Sequence, residues 1–170
     1  MDEESIREVK EIEIKCGLSP WSLEDYKKEI LRDDSVCLIA KNNLKVSGFI
    51  IARLIMQEVG ETPQNKNDRE LLDKELLNEA EIYNLAVLPG NRQEGIGKAL
   101  FNQFLDKTKE LGISRVWLEV RESNAAAINF YKKNNFQKIQ VRKNFYRFPE
   151  EDGWVMRLEL KTFAGDGILQ

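Results

Sequence analysis

Histidine is absent from this 170-residue chain. Its absence removes hydrolases that use a histidine base, histidine-ligated metal sites and phosphohistidine chemistry. Any proton transfer must fall to Asp, Glu, Tyr, Lys, Cys or a chain terminus. Cysteine is nearly absent too. Cys16 and Cys37 are too few for a zinc site or a disulfide framework, and their spacing matches no redox motif. That usage is the pattern of a reducing, cytoplasmic setting. No apolar run approaches the length of a membrane span, and the opening MDEESIREVK lacks the apolar stretch of a secretory signal. An excess of positive charge is also missing. The formal net charge of −3 argues against a general nucleic-acid binder.

What remains is ordinary globular material, 42% hydrophobic and 32% charged, in a length that suits one domain. Residues 1–162 are expected to form it, with an acidic loop inserted at 57–80 and a flexible tail at 163–170. The mild net charge hides a split. Residues 58–81 carry eight acids against three bases, whereas residues 82–147 carry twelve bases against five acids.

Apolar spacing predicts a helix over 3–15, stopped by Gly17, and a second over 23–32 behind a Ser22/Asp25 capping box. Ser35–Lys41 and Val46–Met56, separated by Asn42-Asn43, read as a hairpin. Arg69–Leu77 could form a short helix within the acidic loop. A strand at 81–87 precedes a helix from Ile96 to Leu111, with an apolar stripe of Ile96, Leu100, Phe104 and Leu111. Val116, Leu118 and Val120 alternate as a strand should, and Ser123-Asn124 caps a helix to about Asn134. Strands at 136–142 and 154–160 follow, joined by a loop at 143–149. The class is mixed α/β (α+β).

Between the 81–87 strand and its helix lies Arg92-Gln93-Glu94-Gly95-Ile96-Gly97. A strand, a glycine-containing turn and a helix start make a backbone anion site, because unpaired amides and the helix dipole point outward. The segment is neither a P-loop nor a dinucleotide fingerprint. Its position in a basic stretch of chain suits a polyphosphate ligand.

Tyr83-Asn84-Leu85-Ala86-Val87-x-Pro followed by Arg92-x-x-Gly95-Ile96-Gly97-Lys98-Ala99-Leu100 resembles the acetyl-CoA motif of the GNAT acetyltransferases. Trp117-Leu118-Glu119-Val120-Arg121-x-Ser123-Asn124-Ala125-Ala126-Ala127-Ile128-x-x-Tyr131 is more specific. It resembles the RimI branch, which acetylates ribosomal proteins on an N-terminal alanine. The resemblance covers roughly residues 18–56 and 81–160.

It implies a mostly antiparallel sheet of six to seven strands with about four helices, splayed between the strands at 81–87 and 114–121. Acetyl-CoA would be the cosubstrate, with no metal. Leu85, Ala86 and Val87 would offer backbone partners to the pantetheine arm. Arg92, Gln93, Glu94, Gly95, Ile96, Gly97 and Lys98 would wrap the pyrophosphate, and Asn124 would bond the arm. Glu119 is implied as the base and Tyr131, which would also touch the cofactor, as the acid at its sulfur. A phenol near ~10 is protonated at neutral pH, and an α-amine near ~7.7–8.0 needs only a modest base. Trp21, Phe145 and Tyr146 are candidates to shape the acceptor slot. The implied partner is a protein or peptide N-terminus, with a ribosomal protein favoured, bound by a cytoplasmic monomer or weak dimer without nucleic acid or membrane.

Three departures from the family pattern stand out. Few residues precede the first helix, so the sheet lacks its first strand or the start is shortened. Gln93 and Glu94 occupy turn positions that are often basic. The acidic 57–80 segment is long, and could attract a cationic N-terminus. Competing readings are acetyl transfer to a small amine or lysine side chain, and a CoA-binding regulatory protein without turnover.

Overall fold

The computed structural model describes residues 1–56 and 78–160. The helix expected over 69–77, the body of the acidic loop and the 163–170 tail lie outside the described residues. Helix α1 (Glu3–Cys16) begins at Asp2, whose side chain accepts from the Ser5 amide, and ends at Gly17 with φ 65°. Helix α2 (Leu23–Ile30) starts with the Ser22/Asp25 capping box read from the sequence. Strands β1 (Ser35–Asn42), β2 (Lys45–Ile55) and β3 (Glu79–Val87) follow. Helix α3 (Ile96–Glu110), strand β4 (Arg115–Arg121), helix α4 (Ala125–Lys133) and strands β5 (Gln137–Arg147) and β6 (Glu150–Glu159) complete the described chain.

The six strands form one sheet in the order β1-β2-β3-β4-β6-β5. Every pairing is antiparallel except β3 with β4. This is the mixed, mostly antiparallel sheet with four helices that the sequence implied. Among the described residues no strand precedes α1, so the sheet has six strands here.

Strand β2 is buried without alternation from Val46 to Ala52, the pattern of a strand covered on both faces. Phe49 and Ile51 pack under α1 and α2, while Ile50 and Ala52 pack under α3. Strand β4 alternates, with Val116, Leu118 and Val120 in the α3 and α4 core and the residues between them facing the other way.

Three expectations need correction. The 143–149 loop is mostly strand: β5 continues to Arg147 and β6 starts at Glu150, because the polar and aromatic residues there alternate across a two-stranded arm rather than covering a core. Strand β3 starts at Glu79, two residues inside the segment read as loop, and Ala80 is fully buried. Leu111 is not part of the apolar stripe of α3. It occupies the C-cap position and is 42% exposed, while Leu100, Phe101, Phe104 and Thr108 form the buried face.

Phe104 has no exposure, and its ring lies 6.3 Å from that of Phe101. Phe104→Ala is expected to lower unfolding stability by about 3–5 kcal/mol, the cost of an aromatic-sized cavity. Denaturant unfolding measures it. A loss below ~1 kcal/mol would mean that this face of α3 does not hold the sheet.

Candidate active site

The parallel ladder between β3 and β4 runs from Glu79↔Arg115 to Ile82↔Leu118 and stops. Both strands continue, each held on its outer side. Strand β3 stays paired with β2 as far as Val87, and β4 with β6 as far as Arg121. The facing edges at 83–87 and 119–121 therefore part. A cavity of about 510 Å³ occupies the opening.

The cavity collects residues from distant parts of the chain. Leu85, Arg92, Glu119, Asn124 and Tyr131 line it, with Trp21, Phe145 and Tyr146. Eight of the residues singled out in the sequence thus meet at one place. Ala86, Val87 and the turn from Gln93 to Lys98 do not line it. That turn lies next along the chain, at the start of α3.

The turn has the features of an anion cradle. Gly95 is the N-cap at φ 82° and gives no side-chain cap, and Gln93 also has positive φ. The first intrahelical bond of α3 is Ala99 N–H to Gly95 O. The amides of Ile96, Gly97 and Lys98 therefore have no partner within the helix. Glu94 is exposed, and its Oε2 accepts from Asn91, so its charge is drawn to the rim. Two basic side chains beside the turn are engaged within the fold. Arg92 donates to Val87 O at 3.2 Å and to Cys16 Sγ at 3.5 Å, bracing β3 against α1. Lys98 donates to Asn134 Oδ1 at the end of α4, which leaves its amide as the group available to the turn.

Glu119 is partly buried and forms an ion pair with Arg142 through Oε1. Arg121 instead pairs with Glu151 at 2.6 Å, so the neighbour in sequence is not the partner in space. Arg121 also stands 4.1 Å over the Tyr146 ring and donates to the carbonyls of Phe148 and Pro149. It thereby ties the tip of the β5–β6 arm to β4. Phe145 and Tyr146 lie across β6 at Gly153, where a Cβ would come within 3.0 Å of the Phe145 ring. Asn124 uses its Oδ1 to cap α4 through the Ala127 amide.

Tyr131 serves two structural purposes. It is 7% exposed, belongs to the main core and packs against Phe130 and Phe136. It also reaches the cavity wall. Burial, with a lesser effect from Tyr146, pushes its ionisation up. Tyr146 is pushed up to about 12 by burial and then by the Glu119 charge. On the far wall, both backbone groups of Trp21 are gripped by α1. Its N–H donates to Glu13 at 2.8 Å and its carbonyl accepts from Lys10, and those two side chains are paired at 2.5 Å. Neither Lys10 nor Glu13 was legible as part of the site. Cys16 lines the cavity and donates to Val87 O. Among the described residues, no cluster of three or more acidic, histidine or cysteine side chains could hold a metal.

This splayed sheet with an uncapped helix start is placed among the acyltransferases by comparison with known proteins. Residues 6–136 match the acetyltransferase (GNAT) family. The chain belongs to that family. It is 41% identical over 78 residues to the ribosomal protein bS18-alanine N-acetyltransferase of Escherichia coli K12, a match covering 46% of this chain. The chain spans about half (51%) the length of that relative. With the enzyme of the same name from Haemophilus influenzae it is 32% identical over 139 residues, 82% of this chain and 80% of that one. The crystal structure of the ribosomal-protein-S18-alanine N-acetyltransferase from Escherichia coli superposes with a TM-score of 0.76 at 26% identity, covering 100% of this chain and 96% of that one. The NatC complex bound to Gag peptide and CoA shares the fold at a TM-score of 0.71 and 22% identity, covering 94% and 93%.

All four tyrosines of the sequence, Tyr26, Tyr83, Tyr131 and Tyr146, have ionisations raised chiefly by burial. Raised folded-state values stabilise the fold below the unfolded tyrosine value near ~10, and that stabilisation is lost as pH climbs above it. Ultraviolet titration of the native protein should show well under half of the tyrosinate signal at pH ~10, where free tyrosine is half ionised. Half-ionisation at that pH would contradict the burial of Tyr26 and Tyr131.

Proposed function

We propose that this protein transfers the acetyl group of acetyl-CoA to the N-terminal α-amine of a protein, with a ribosomal protein beginning with alanine as the acceptor. The observation that carries the proposal is the cavity at the parting of β3 and β4. There Glu119 on β4 and Tyr131 on α4 line one space beside the free edge of β3. The relatives support the acceptor class, since their names specify a ribosomal protein alanine.

The residues present fit the cosubstrate. The uncapped amides of Ile96, Gly97 and Lys98 suit a pyrophosphate. The edge of β3 that β4 leaves open, where Val87 O alone is engaged by Arg92 and Cys16, suits the amides of a pantetheine arm through its other backbone groups. Acetyl-CoA supplies the acyl group as a thioester, together with a thiol that must leave.

Glu119 takes the proton released by the acceptor ammonium. Arg142 engages Oε1, so Oε2 is the receiving oxygen. An α-ammonium near ~7.7–8.0 gives up its proton with little assistance, which a carboxylate can provide. Tyr131 is held protonated by its burial. A thiol near ~8.5 is a stronger acid than a phenol, so Tyr131 acts first as a hydrogen-bond donor to charge developing on the sulfur.

Glu119→Gln and Tyr131→Phe should each lower kcat by about 100-fold while acetyl-CoA affinity changes less than about two-fold. Stopped assays of thiol release with alanine-initiated peptides, paired with calorimetry of CoA binding, measure both. Rates with these peptides should rise through pH ~7.7–8.0 as the acceptor amine loses its proton. The proposal fails if no peptide-dependent release occurs between about pH 6 and 9, or if only internal lysines or free polyamines are acetylated.

A further inference from the structure

Strand β3 contains one extra residue relative to β2. Asn84 pairs with Ile51 and Ile82 with the next residue, Ala52, which leaves Tyr83 as a bulge. The bulge inverts the side-chain parity of the strand. Ala80 and Ile82 belong to the core under α3, whereas Ala86 belongs to the core under α1. Asn84, opposite Ile51, is turned to the α1 side, the face that carries Trp21 and Tyr83 with rings 6.0 Å apart. A regular strand would have aimed it the other way.

Asn84 is 8% exposed, lines the cavity, and its Nδ2 is buried with no hydrogen-bond partner. A buried amide donor without an acceptor is costly and rare in folded proteins. Nothing in the fold of the described residues uses it, in contrast to Asn124, whose carboxamide caps α4. Its position, on the Trp21 side of the opening and beside the free edge of β3, is the side opposite to α3 and its cradle.

We infer that Asn84 is a specificity residue whose side-chain amide donates to the carbonyl oxygen of the acceptor's first residue. The inference rests on the acceptor being a peptide N-terminus, as proposed above. Such an N-terminus carries a carbonyl oxygen three bonds from the reacting nitrogen. A polyamine has no such group, and the side-chain amine of a lysine is separated from its carbonyl by the whole aliphatic stem. With either of these bound, the Asn84 amide stays unpaired, and a site built around a polar group discriminates most strongly against ligands that leave it unpaired. Asn84 thereby selects α-amines over other amines of similar basicity. It makes no contact with the proton being moved.

The test is calorimetric binding of two probes to the CoA-loaded protein. One is an alanine-initiated peptide, and the other is the same peptide with its first amide replaced by an (E)-alkene isostere. The isostere should bind the unmodified protein about ten-fold more weakly, a difference of ~1.4 kcal/mol. Asn84→Ala should weaken the natural peptide about ten-fold and leave the isostere unchanged, so that the two losses do not add. Asn84→Ser, which keeps a donor, should recover part of the affinity, with melting temperatures reporting that both variants fold. Equal binding of the two probes to the unmodified protein overturns the inference without any variant. Peptide binding that depends on Asn84 but is followed by no acetyl transfer supports the inference and rejects the proposed reaction. Acetyl transfer indifferent to Asn84 does the opposite, and neither binding nor transfer rejects both.

Discussion

The parting of β3 from β4 is the constraint on which the rest of the structure depends. Two parallel strands that remained paired would close the sheet and leave no opening. Here they separate after four residue pairs, yet neither frays, because β2 and β6 hold their outer edges. Parting leaves backbone N–H and C=O groups facing a gap, and such groups cannot be left in a dry core without cost. The opening must therefore be wet or filled by a polar ligand. That requirement explains why Glu119, Arg121, Asn84 and Asn124 gather there, in a sheet whose other interior positions are almost all apolar.

Rigid walls keep the opening in shape. Glu13 and Glu29 have almost no exposure, at 0% and 2%, and each is satisfied by several partners. Glu13 accepts from Trp21 N–H, Tyr26 and Lys10. Glu29 accepts from Arg53 and Ser35, and the Arg53 guanidinium lies 4.9 Å from the Tyr83 ring centroid. Burial alone would raise the Glu29 carboxyl, but the hydrogen bonds from Arg53 and Ser35 outweigh it and hold the carboxyl below its usual value. A depressed value adds stability above the ordinary carboxylate range and loses it as the pH falls. Removing one member of such a pair strands a buried charge at a cost of about 3–5 kcal/mol. Trp21 and Tyr83 are thus fixed by groups that cannot easily let go.

Much of this was legible in the residues, and the failures have a common cause. Periodicity located α1, α2 and α3, and alternation located β4, because each of those elements buries one face. The motif residues Leu85, Arg92, Glu119, Asn124 and Tyr131 do converge on one cavity. The arm formed by β5 and β6 was missed over 143–153 because most of it covers no core, so its side chains carry little hydrophobic pattern. The partner of Glu119 was unreadable for a similar reason. Arg142 is 23 residues away and meets it only because β5 and β4 flank β6. The orientation of Asn84 depends on a bulge whose extra residue is visible only in the register with β2. A lone amide between Ile82 and Leu85 was nevertheless a polar interruption of an apolar strand, and it could have been flagged as such.

The missing histidine acquires a different meaning in this setting. A chain without it has no side chain whose ordinary ionisation falls between about pH 5 and 8 apart from perturbed cases. The tyrosines of this protein are perturbed away from that window, upward, and the carboxyls of Glu29 and Glu151 are held on its acid side by Arg53 and Arg121. Tyr131, the proposed donor at the sulfur, therefore keeps its proton across neutral pH. The group left to titrate is the acceptor amine itself, near ~7.7–8.0 for an α-amine and near ~10.4 for a lysine. At neutral pH the neutral fraction of the first exceeds that of the second by more than a hundred-fold, on the order of the difference in those values. A histidine base would blur that contrast with a titration of its own. A phenol that stays protonated leaves the choice of amine to the amine's own acidity and to whatever the cavity wall recognises beside it.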